Sequence, residues 1–125
     1  MKHKRTLLWI LPLLCGAPLV SVQSIVIAQN GEAQSVIVVD PGADQTTRYA
    51  VEELTRFLSR VTGANFEIIH APRENTESIF VGPDAARLAD PNFTTNGLND
   101  EGVVMRTVES GLILAGGGRR GTLYA

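Results

Sequence analysis

Six residues, Ser35-Val36-Ile37-Val38-Val39-Asp40, constrain the fold of this chain more than any others. Their apolar side chains do not alternate with polar ones, so a strand here shows apolar groups on both faces and must be covered on both. Pro41-Gly42 ends the run. Asp44 then stands where a helix N-cap is wanted and Gly63 where a left-handed stop residue is wanted, which predicts a helix running to Thr62. Ala50, Val51, Leu54, Phe57, Leu58 and Val61 form one stripe along it. Arg48, Glu52, Thr55, Arg56, Ser59 and Arg60 take the other side, with Glu52 and Arg56 spaced as a favourable ion pair. A doubly covered strand joined to an amphipathic helix is the opening of a layered α/β structure.

The rest of the chain continues that pattern in shorter pieces. Phe66 to His70 and Ile79 to Val81 read as strands separated by a polar stretch, and Asp84 to Ala89 as one or two helical turns before Pro91. Asp90 to Asp100 is loop-like. Gly102 to Val108 and Leu112 to Ala115 flank Glu109-Ser110-Gly111, a hairpin signal, and Gly121 to Ala125 looks like the start of a helix. The expected class is α/β of the α+β type: a small mixed sheet with helices packed on it, in the order β-α-β-β-(short α)-β-β-α(start). Because the last helix stops after about one turn, too short to be stable alone, the reading expects the chain to be a fragment.

The N-terminal segment has a different character. Met1 to Arg5 is basic, Leu7 to Leu14 is apolar apart from Pro12, and Val26-Ile27-Ala28 offers small residues of the kind a signal peptidase accepts. Residues 1–28 are therefore read as a signal peptide with cleavage between Ala28 and Gln29, residues 29–34 as a linker, and residues 35–125 as the domain. The expected location is secreted or periplasmic. The alternative is an uncleaved anchor, since Thr6 to Ala28 has the length of a membrane span, although Pro12, Gly16, Pro18, Ser21, Gln23 and Ser24 weaken it. Cys15, the single cysteine, falls in this leader after Leu14, a poor lipoprotein context, so the body is left without disulfide or thiolate chemistry.

Removing that leader leaves 97 residues, enough for one modest core but not for a core plus a deep catalytic cleft. The body has eight arginines, no lysine and thirteen acidic residues, a formal −5. A surface of that sign suits neither nucleic acid nor an anionic membrane.

Candidate chemistry is sparse. Gly116-Gly117-Gly118-Arg119-Arg120-Gly121 formally fits the G-x-G-x-x-G pattern, but the strand before it belongs to a hairpin rather than to a βαβ unit. A tight strand-to-helix turn is the favoured reading, and binding of an anion or a sugar by Arg119 or Arg120 the functional one. His70, the lone histidine of the body, lacks the companions of a metal site or a nucleophile turn. A glycosidase needs two carboxylates facing each other across a sugar; Glu52-Glu53 and Asp100-Glu101 show no spacing that would hold them so. Asn92-Phe93-Thr94 fits a glycosylation sequon. No catalytic residue, metal site or cofactor is expected.

Several segments together carry a resemblance. Tyr49-Ala50-Val51-Glu52-Glu53-Leu54 with Thr62-Gly63, Ile79-Phe80-Val81-Gly82, and Glu101-Gly102-Val103-Val104-Met105-Arg106 are three of them. The last is Leu112-Ile113-Leu114-Ala115-Gly116-Gly117 with Arg120-Gly121-Thr122-Leu123-Tyr124-Ala125. They resemble the small N-terminal α/β domain of bacterial α-glucuronidases, which also precedes the barrel of β-N-acetylhexosaminidases. The likeness covers about Val36 to Ala125, and its most specific parts are the E-G-x-x-x-R strand and the R-G-T-L-Y-A ending. Val103 stands where the family often has an aromatic residue.

The resemblance implies a mixed sheet with helices on one side, and catalytic acids in a downstream (β/α)₈ barrel rather than here. It therefore implies a non-catalytic accessory domain of an exported glycoside hydrolase, with the downstream barrel as its partner. The alternative is a stand-alone carbohydrate-binding module that holds acidic sugars through Arg119 and Arg120.

Overall fold

A computed structural model describes residues 16–18 and 23–125. The apolar run Leu7 to Leu14 and Cys15 lie outside the described residues. In chain order the elements are strands β1 (Ala28–Gln29), β2 (Glu32–Ala33) and β3 (Ser35–Val39), helix α1 (Gln45–Thr62), and strands β4 (Ile68–Ile69) and β5 (Glu77–Val81). Helix α2 (Pro83–Ala89), strands β6 (Val103–Val108) and β7 (Gly111–Gly116), and helix α3 (Gly121–Tyr124) complete it.

The five-stranded sheet has the order β4-β3-β5-β7-β6, parallel except for the antiparallel edge pair β6 and β7. β3 lies inside it and all five of its residues are buried, as its unbroken apolar run requires. Ile37 and Val39 join Ile79, Val81 and Leu114 under α1, with α3 beside it. Val36 and Val38 join Phe80, Ile113 and Ala115 on the opposite face, under Ala85 and Ala86 of α2 and Phe93 of the loop. Helices therefore cover both faces, which corrects the expectation of one.

Helix α1 forms with the caps its sequence specifies. The Asp44 carboxylate accepts from the Thr47 amide at 2.7 Å, and Gly63 turns left-handed at φ 74° while its N–H reaches the Ser59 carbonyl. Its buried face is narrower than the stripe. Thr47, Ala50 and Val51 are buried and Leu54 and Leu58 half-buried, but Phe57 is 53% and Val61 82% exposed. Towards its C-terminal end only Leu58 of the stripe still packs against the core. Glu52 is not the ion-pair partner of Arg56; Glu53 is.

Two other segments depart from the sequence reading. Residues 29–34, expected as a linker, are folded: β1 and β2 pair through Asn30 and Gly31, both at positive φ, the geometry of a tight two-residue hairpin. The strand expected over Phe66 to His70 shrinks to Ile68–Ile69, the two residues in register with β3, while the Glu67 carbonyl still accepts from the Ile37 N–H and Phe66 turns into the core.

Two glycines allow close backbone approach, one between neighbouring strands and one between β7 and α3. A Cβ on Gly111 would stand 1.9 Å from the Ser78 carbonyl, and one on Gly116 would stand 2.1 Å from the backbone of Gly121. At both places main chain packs on main chain, where no side chain fits.

Candidate functional site

Parallel sheets of this kind leave a crevice outside the carboxyl ends of their strands. Here Asp40 follows β3, Gly82-Pro83-Asp84 follows β5, and Gly118 and Arg119 lie just beyond β7. With Asp44 and Thr47 from the start of α1 they line an open crevice of about 220 Å³. Three of its carboxylates are held locally. Asp40 accepts from the Gly42 amide at 2.7 Å, Asp44 caps α1, and Asp84 pairs with Arg87. Each is thus tied to a turn, a helix start or an ion pair, which explains why these acids follow these strands.

Arg119 and Arg120 part company. Arg119 lines the strand-end crevice, whereas Arg120 lies 3.7 Å from Glu101, both side chains largely exposed. The two arginines share only a second, shallow depression with Asp100 and Glu101. The glycines before them are explained by packing. Gly117 donates to the Gly102 carbonyl, Gly116 donates to the Thr122 hydroxyl at 3.2 Å, and a Cβ on Gly121 would meet the Gly102 carbonyl at 2.5 Å. Their spacing lets β7, α3 and the loop before β6 touch backbone to backbone.

The other singled-out residues are scattered. His70 Nδ1 lies 2.9 Å from the Val39 carbonyl, which accepts its hydrogen. Glu52 is exposed on α1, remote in the chain from Asp100 and Glu101, and no crevice is lined by both pairs among the described residues. Among the described residues, no group of three or more histidines, cysteines and acids is placed to hold a metal ion. Asn92 is exposed, but Phe93 beside it is buried under the Arg106 guanidinium, which also pairs with Asp90.

A predominantly apolar concavity lies elsewhere, between α1 and α3. It measures about 430 Å³ and is walled by Tyr49, Leu54, Phe57, Leu123 and Tyr124, with Glu53 at its edge. Tyr49 is 51% and Tyr124 55% exposed. The Arg56 guanidinium lies 5.0 Å from the Phe57 ring and donates to Glu53, and that hydrogen bond, then Glu53's charge, hold the guanidinium still more firmly protonated. The sequence reading missed this groove because it placed Phe57 in the core. The stripe shows which side of α1 is apolar but not which of its residues the rest of the fold covers, so it gave no signal for the groove.

Against known families, the model described as glycosyl hydrolase family 67 N-terminus matches residues 22–125. No curated protein matches the chain.

Proposed function

The chain belongs to the glycosyl hydrolase family 67 N-terminus family, and from that premise we propose that it is the non-catalytic accessory domain of an exported α-glucuronidase-type hydrolase. Membership makes it a glycoside-hydrolase-associated domain of carbohydrate degradation. Its own part is to seat the downstream catalytic barrel of the same polypeptide. The observation that carries this reading is the groove between α1 and α3. A small domain gains nothing by leaving two tyrosines and a phenylalanine half in water around one concavity, and patches of that kind mark surfaces that another body covers. Family membership supports the glucuronidase type over the hexosaminidase type.

Local charge weighs against the acidic-sugar alternative. Arg119 shares its crevice with Asp40, Asp44 and Asp84, and Arg120 faces Glu101, so a uronate would approach more negative than positive charge. Calorimetry of the chain with glucuronate-bearing oligosaccharides, together with a panel of chromogenic glycosides, tests the reading. It expects neither binding nor turnover from this chain, and turnover in the parent protein with its barrel. Saturable uronate binding lost on Arg119→Ala would replace it with the binding-module reading.

A further inference from the structure

Residues 25 to 28 are bound into the fold, although the V-x-A triplet would assign them to the removable leader. Ile25, Ile27 and Ala28 pack against the core beneath α1. The Val26 N–H donates to Glu77 Oε2 at 2.9 Å, and the Val26 carbonyl accepts from Ser35 Oγ at 2.8 Å. The Ile27 carbonyl accepts from the Gln34 N–H at 2.9 Å, and Ala28 pairs with Ala33 in the small hairpin. Gln23 and Ser24, immediately before, are exposed. Among the described residues of this segment, packing starts at Ile25.

A cut after Ala28 would take two isoleucines out of the core and leave the Ser35 hydroxyl and the Gln34 N–H without their acceptors. It would also sever β1 in its middle. A second triplet avoids all of this: Val22-Gln23-Ser24 places a β-branched residue at −3 and a small one at −1, and its scissile bond falls at the boundary between exposed and packed chain. The fold also shortens the candidate anchor. With Ile25 onward held in the domain, the apolar stretch is Leu7 to Val20, interrupted by Pro12 and Pro18, well short of the ~20 apolar residues that cross a bilayer.

We propose that the leader is removed at the Ser24–Ile25 peptide bond by a signal peptidase selective for small residues. Water supplies a hydroxyl to the Ser24 carbonyl and a proton to the Ile25 nitrogen, so the leader leaves with a carboxylate and the domain starts with a free ammonium. That ammonium is one residue from the Val26 amide that binds the Glu77 carboxylate. This inference rests on the export part of the reading above, and its test separates the two.

The full chain, with its own leader, is expressed in a bacterial host, and the exported fraction is analysed by N-terminal sequencing and intact mass. The expected species starts at Ile25. A species starting at Gln29, open or cyclised, overturns the cleavage site and leaves export standing. Full-length chain in the membrane fraction overturns cleavage itself, and full-length chain retained in the cytoplasm overturns export and the site with it. Pulse-labelled variants, read before folding matters, sharpen the result: Ser24→Leu should lower the Ile25-terminated product about tenfold and Ala28→Leu should leave it within about twofold. The reverse pattern contradicts the proposal.

Discussion

The two faces of the central sheet are finished to different degrees. On the α2 side, Val38, Phe80, Ile113, Ala85, Ala86 and Ala115 are wholly buried, and Phe93 closes the layer from the loop. On the α1 side, Ile37 and Ile79 are equally dry, but the layer above them opens into a groove where Leu54 and Leu123 are only partly covered and Phe57 is exposed. The same sheet thus carries one complete face and one incomplete one. Helix length alone does not close a face: seven residues of α2 with a buried loop phenylalanine complete one, while the eighteen residues of α1 leave the other open.

That difference can be broken by mutation, most severely on the closed face. Phe80 has no exposed surface, so Phe80→Ala should cost ~3–5 kcal/mol, a large part of the ~5–10 kcal/mol typical of a small domain. Urea denaturation would show the midpoint collapse or the native baseline disappear. Leu54 on the open face is half-buried and borders the groove. Leu54→Ala should fall at or below the lower end of the ~2–5 kcal/mol range for buried leucines, and a loss equal to that of Phe80→Ala would show the open face to be as tightly closed as the other.

Smaller still is Phe57→Ser. Removing a half-exposed ring should change the chain's own stability by no more than ~1 kcal/mol while reducing self-association in light scattering, because it removes apolar surface from the patch. In the barrel-bearing parent the same substitution should lower the melting temperature more than it does in the chain alone.

The smallest effect concerns charge. Hydrogen bonding and charge from Arg73 hold the Glu67 carboxyl below its ordinary titration range, with both side chains in solvent. A carboxyl depressed in the folded state adds stability above its unfolded titration range and loses it as pH falls through the folded one. Screening makes the contribution slight for so exposed a pair. Carbon-detected NMR titration should show the Glu67 midpoint rising on Arg73→Gln, and an unchanged midpoint would show that Arg73 does not hold it down.

How much of this was legible beforehand depends on whether a feature is local. The α1 caps were, because Asp44 and Gly63 act on backbone within a few residues of themselves. The β6–β7 hairpin was for the same reason, since Val108 pairs with Gly111 across Glu109 and Ser110. The order of elements followed from these. The exposure of Phe57 and Val61 was not legible: a helical stripe records which side is apolar, not which of its residues the rest of the fold covers. Nor was the second covered face, because α2 offers only a few alanines and depends on Phe93 from a stretch that reads as loop. The Asn30-Gly31 hairpin was present in the sequence as a strong turn signal, but its strands are two residues each and their polar composition reads as a linker. The crevice with Asp40, Asp84 and Arg119 needed the parallel order of β3, β5 and β7, which pairing across distant segments decides.

We propose that the open face is covered by a downstream barrel of the same polypeptide. Amide hydrogen exchange compared between this chain and the barrel-bearing parent tests it most directly. Slower exchange is expected in the parent over Tyr49 to Phe57 of α1 and over Leu123 and Tyr124 of α3, with little change in β3 and α2. Unchanged protection along the groove, or a gain confined to the α2 face, would contradict it.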